Sequence, residues 1–96
     1  MSFGLKEKDY QFIVRHLKSV LGEKSKVWCF GSRARGDYSK YSDLDLMLEK
    51  IDISIMGELE EFFVESDLPI KVDIVIKENF AKSYLDSFER DKIPFY

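Results

Sequence analysis

The sequence predicts a small α/β (α+β) domain, a three-stranded mixed sheet flanked by helices in the order αβαβαβα. Three observations predict it. Strand-like runs occur three times, apolar stripes at helical spacing alternate with them, and carboxylates fall where one mixed topology brings them to a single sheet edge. At 96 residues the chain has room for one domain, residues 1–96, and shows no internal repeat, linker or low-complexity tract.

Residues 8–21 place Tyr10, Ile13, Val14, Leu17, Val20 and Leu21 at three-and-four spacing, which predicts an amphipathic scaffold helix stopped by Gly22. His16, the single histidine, falls off that stripe beside Arg15 and reads as a solvated surface residue. Lys26-Val27-Trp28-Cys29-Phe30 is apolar and aromatic, a first strand with Cys29 buried as a small hydrophobe, ended by Gly31-Ser32. Residues 33–41 are polar and charged, a helical turn and then a loop.

Residues 42–48 alternate, with Leu44, Leu46 and Leu48 on one face and Asp43, Asp45 and Met47 on the other, a second strand. Residues 52–65 gather Ile55, Met56, Leu59, Phe62 and Phe63 on one helical face and leave Glu58, Glu60, Glu61 and Glu65 to solvent. Ser66-Asp67-Leu68-Pro69 turns into a third strand at residues 70–77, where Ile70, Val72, Ile74 and Ile76 oppose Lys71, Asp73, Val75 and Lys77. Asn79 caps a last helix striped by Phe80, Ala81, Tyr84, Leu85 and Phe88, and Glu89-Arg90-Asp91-Lys92 breaks the pattern. The apolar tail Ile93-Pro94-Phe95-Tyr96 is expected to pack on the domain or into another subunit.

The chain is organised around residues 31–46. Side chains two apart on a strand are roughly 7 Å apart at the backbone, so ionised Asp43 and Asp45 repel and together suit a hard cation such as Mg²⁺. Gly31 lets the backbone approach a ligand, and Ser32 opens a turn whose hydroxyl and N–H groups suit phosphate oxygens. Arg33 and Arg35 carry planar donor forks that bind phosphate, with pairing to nearby carboxylates or plain solvation as the alternative. Ser42 either helps hold the site or is an ordinary loop serine. With the first strand antiparallel to the other two, Asp73 joins Asp43 and Asp45 at the edge where Gly31-Ser32 lies.

Gly31-Ser32, the ten residues after it, Asp43-x-Asp45 and the later Asp73 resemble the signature of the DNA polymerase β-like nucleotidyltransferase superfamily. Gly-Ser-Arg-Ala-Arg-Gly followed by Ser-Asp-Leu-Asp-Leu is similar to its minimal nucleotidyltransferases, one-domain proteins often paired with helical HEPN partners. The resemblance implies a polymerase β-like fold and transfer of NMP, AMP from ATP, to a hydroxyl. It implies two Mg²⁺ ions held by Asp43 and Asp45, with Asp73 ligating one and helping to activate the acceptor. Gly31, Ser32 and Arg33 would grip the β and γ phosphates, with Arg35 and Ser42 as further nucleotide contacts. The implied role is that of an antitoxin that adenylylates a tyrosine on a HEPN toxin.

Composition bounds the rest. Net charge is −3 and the sequence pI about 5.2, which disfavours a nucleic-acid partner. One cysteine forms no internal disulfide, and the N-terminus lacks the apolar core of a signal peptide, so a cytoplasmic protein without membrane attachment is expected. Apolar residues at 45% leave surplus surface for a helical partner or a homo-oligomer. Two other functions fit the same residues. One is a non-catalytic nucleotide-binding subunit that neutralises or completes a helical partner. The other is nucleotidylation of a small molecule such as an aminoglycoside.

Overall fold

The computed structural model describes residues 3–80 and 82–96. The helix predicted over 8–21 runs Glu7–Val20 (α1), and its buried Ile13, Val14 and Leu17 lie on the predicted stripe. β1 is Lys26–Phe30, followed by the single helical turn α2, Ser32–Arg35. β2 is Leu44–Glu49, and a 3-10 turn at Ile53–Ile55 leads into α3, Met56–Glu65. β3 is Val72–Ile76, a second 3-10 turn covers Lys77–Asn79, and α4 is Lys82–Asp91. Asn79 therefore closes a turn instead of capping the last helix, and residues 89–91, predicted to break it, continue it. Ala81, placed in the α4 stripe from its spacing, lies outside the described residues.

The sheet has four strands in the order β3-β2-β1-β4, one more than predicted. β1 is antiparallel to β2, and β2 is parallel to β3, as the placement of the carboxylates required. The added strand, β4, is Ile93–Pro94 pairing antiparallel with Trp28 and Cys29. Two residues are too few to show an alternation, and proline, which lacks an N–H, is tolerated there because β4 is an edge. The apolar tail thus packs on its own domain. Phe95 donates its N–H to Val27 O and is buried between Phe3 and Tyr10, whose hydroxyl donates to Phe95 O.

The two faces of the sheet differ. Val27, Cys29, Leu44, Leu46 and Leu48 meet α1 and α3 through Ile13, Val14, Leu17, Leu59 and Phe63. His16 belongs to this layer's rim. It stacks on Phe62 at 3.4 Å, and burial pushes its pKa down, so it is a packing residue and not the solvated one expected from its position beside Arg15. The acidic residues of α3 are exposed, as predicted.

The opposite face carries Trp28, Phe30 and Met47 and is covered by α4. Phe88 and Phe80 meet Phe30 edge-on at 5.6 and 5.7 Å, and Lys92 lies over the Trp28 ring at 4.6 Å. Tyr84 points to solvent despite its place on the predicted stripe. Phe88 is the anchor of this layer. Phe88→Ala should cost about 3–5 kcal/mol in urea denaturation, the range for emptying a buried aromatic site.

Candidate active site

Period two and the strand registers build the site. On β1 the side chains of Lys26, Trp28 and Phe30 share a face, and in register with them on β2 stand Glu49, Met47 and Asp45. The parallel pair then sets Asp45 beside Asp73 and Met47 beside Val75. The face reads as a polar end, an apolar middle and a second polar end. At the far end Glu49 accepts from the Trp28 indole N–H and from Lys77 Nζ, a satisfied structural pair. At the near end Asp45 and Asp73 face each other across one strand spacing, about 4.8 Å, where two like charges repel.

Asp45 records that conflict. Burial pushes its carboxyl up from the ordinary carboxylate range, and the charges of Asp73 and Asp43 push it further, against the weaker opposing pull of Arg35 and Lys71. Asp43 is exposed, just before β2. Asp73 is half-buried and paired with Lys71 Nζ at 3.3 Å. Lys71 immediately precedes β3 and is two residues from Asp73, so this partner could have been read from the strand period.

Gly31 closes the near end. Its φ is +75°, in the region that favours glycine, and a methyl group there would lie 2.5 Å from Asp45 Oδ2. The backbone therefore turns directly over the carboxylate. Ala34 N and Arg35 N bond Gly31 O, Gly36 N bonds Ser32 O, and among the described residues the N–H groups of Ser32 and Arg33 and the Ser32 hydroxyl have no acceptor or donor. These groups follow directly on the Gly31 turn with bonding capacity unspent.

Arg33 is 3% exposed, and its guanidinium donates from Nε to Ser42 O, from Nη1 to Phe3 O and from Nη2 to Lys40 O, with Tyr38 stacked on it at 5.0 Å. Its donors are turned inward onto backbone carbonyls, where they hold the loop before Asp43. Ser42 is part of the same loop, its Oγ accepting from Ser39 N at 2.8 Å, which makes it a turn residue. Arg35 is exposed and bonds Asp37 and Asp91, the last residue of α4. Asp91 is nearly buried and lies 56 positions away, so no local sequence signal points to it.

A divalent cation fits this donor set. Two hard oxygen donors stand in register, and burial first and the neighbouring carboxylates second make Asp45 hard to ionise, a cost that a positive charge relieves. Among the described residues no three of His, Cys, Asp and Glu gather into a metal cage. Asp45 and Asp73 are the carboxylates that the strand register itself brings side by side.

The chain matches the family model described as a nucleotidyltransferase domain over residues 13–96. It belongs to that family. The nucleotidyltransferase is 37% identical over 91 residues to a Haemophilus influenzae protein named "Probable protein adenylyltransferase MntA", covering 83% of this chain and 80% of that one. It covers 98% of its length and 96% of a solved minimal nucleotidyltransferase, with a TM-score of 0.66 and 25% identity. It also shares its fold with a crystal structure of a toxin-antitoxin with AMP-PNP, at a TM-score of 0.71 and 19% identity, covering 92% of this chain and 73% of that one.

Two measurements follow from this geometry. The folded chain holds the Asp45 proton more tightly than the unfolded chain, so stability falls as pH rises from the ordinary carboxylate value through the raised one. Asp45→Asn abolishes that fall. At neutral pH its Tm should rise, and added Mg²⁺ should raise the Tm of the wild type alone. Arg33→Met strands three carbonyls and should cost about 3 kcal/mol in urea, with Arg33→Lys recovering only part. An Arg33 that served phosphate would instead lower ATP affinity at unchanged stability.

Proposed function

We propose that this nucleotidyltransferase moves AMP from ATP to a hydroxyl of a partner protein, as the antitoxin of a toxin-antitoxin pair whose toxin is a helical HEPN protein. The observation that carries the reading is Asp45 and Asp73 in register beneath the Gly31 turn, with the Ser32 hydroxyl and N–H groups open beside them. The adenylyltransferase name of the Haemophilus influenzae relative and the AMP-PNP of the toxin-antitoxin crystal structure support the choice of ATP, protein acceptor and partner. Among the described residues no helix is long and apolar enough to cross a membrane, and we place the reaction in the cytoplasm, where ATP and such a partner meet.

Asp43, Asp45 and Asp73 would hold two Mg²⁺ ions, which when bound supply charge neutralisation for the attacking and leaving oxygens. The chain's own groups do the rest. Ser32 and the N–H groups after Gly31 receive the β and γ phosphates and orient the triphosphate toward the carboxylates. Arg35 can leave its exposed pair with Asp37 for a phosphate, whereas Arg33 stays in the loop and keeps Asp43 in place. The acceptor hydroxyl attacks the α-phosphorus, a P–O bond to AMP forms as the α–β bond breaks, pyrophosphate leaves, and the hydroxyl proton passes to the Asp73 carboxylate. Asp73 must part from Lys71 to take it.

That Lys71–Asp73 pair also favours a second reading, a nucleotide-binding subunit that neutralises its partner without turnover. One experiment separates the two. The purified protein, Mg²⁺ and ATP labelled at the α or the γ phosphate are added to a lysate of the source cells. Transfer predicts α-label on a protein, no γ-label, and a loss of roughly 10²–10³-fold in each of Asp43→Asn, Asp45→Asn and Asp73→Asn. If neither label moves while all three variants still capture a partner, the non-catalytic reading replaces it.

A further inference from the structure

β3 is an open edge of the sheet, and it carries Asp73. Leu44 N donates to Lys71 O and Leu44 pairs with Val72, which fixes the ladder. In a parallel pair the backbone groups of Lys71, Asp73 and Val75 then face β2, and those of Val72 and Ile74, with the N–H of Ile76, face outward. Among the described residues nothing pairs with these outward groups.

The edge is bordered by a continuous groove. A cavity of about 480 Å³ between α3 and β3 is lined by Phe63, Val64, Leu68, Val72 and Ile74, with Glu60, Ser66, Lys71 and Asp73 as its polar lining. A second, of about 330 Å³, continues along the strand past Ile53, Met56, Ile76 and Phe80, and Glu60 and Ile74 line both. Val64 is 83% exposed and Ile53 63%. Lysines at an edge ordinarily repel a pairing strand. In the free chain Lys71 is paired with Asp73, and Lys77 with Glu49.

We infer that the acceptor docks on this edge: an extended segment of the partner protein adds as a strand beside β3 and sets its hydroxyl residue opposite Asp73. The inference rests on the adenylyl-transfer reading for what happens next. Residues directly opposite on neighbouring strands point to the same face with Cβ atoms about 4.5–5.5 Å apart. A Tyr, Ser or Thr opposite Asp73 therefore presents its hydroxyl to the carboxylates, while the residues on either side of it turn into the groove under α3 and must be apolar. Glu60, the charged side chain common to both cavities, selects a neutral or basic segment over an acidic one.

The test uses the whole protein with short peptides bearing a central Tyr, Ser or Thr flanked on both sides by Val or by Glu, in Mg²⁺ and α-labelled ATP. Amide hydrogen exchange reads docking and the label reads transfer. Val-flanked peptides should slow exchange at Val72, Ile74 and Ile76, and Glu-flanked peptides should not. Val64→Lys blocks the groove at an exposed position, and Ile74→Pro removes an outward N–H without touching the β2 ladder. Each should weaken protection and labelling about tenfold at unchanged ATP affinity. If no peptide protects these amides, or if they are protected without peptide in proportion to protein concentration, the docking assignment is overturned. Label without protection overturns docking and leaves transfer standing. Protection without label does the reverse.

Discussion

The parallel pairing of β2 with β3 is the constraint from which the rest follows. It requires a crossover, which α3 supplies, and α3 brings Leu59 and Phe63 onto the sheet to build the core with α1. It also sets Asp45 against Asp73. An antiparallel neighbour could have come from a hairpin with no helix to pack. The arrangement that makes the core thus also makes the electrostatic conflict, which adds to burial in making Asp45 hard to ionise.

The chain contains that conflict with two devices of different kinds. Gly31 admits the backbone to within contact of the Asp45 carboxylate, a place where any Cβ would collide. Arg33 fixes the loop that delivers Asp43, spending its donors on the carbonyls of Phe3, Lys40 and Ser42. A buried guanidinium is tolerated because each nitrogen finds an acceptor, and among the described residues no buried side-chain polar atom lacks a partner. The two arginines of one short motif are thereby divided. One is built into the scaffold and the other stays at the surface, tied to α4 through Asp91.

The face that carries the carboxylates is closed unevenly. Phe88, Phe80 and Lys92 cover Phe30 and Trp28, so α4 shields the apolar middle of the sheet beside the polar end. β4 covers the β1 side, and β3 is left as the open flank. The carboxylates can then be approached from two directions, over the Gly31 turn and along the strand edge.

The sequence alone determined the alternation of strands and helices, the faces of β2 and β3, the antiparallel and parallel pairings, and the gathering of Gly31, Asp45 and Asp73. Those properties depend on local period and on spacing, which a chain states directly. It did not determine the partners of its charged and aromatic side chains. Arg33 looked like a phosphate ligand because its donor fork is the same whether it meets phosphate or carbonyl oxygens, and only the fold shows the loop closing around it. His16 lies off the apolar stripe of its own helix, yet α3 supplies Phe62 for it to stack on. β4 carries too few residues to have a period, and it exists because β1 offers an edge. Each was decided by contacts between residues far apart in the chain, to which neither propensity nor spacing is sensitive.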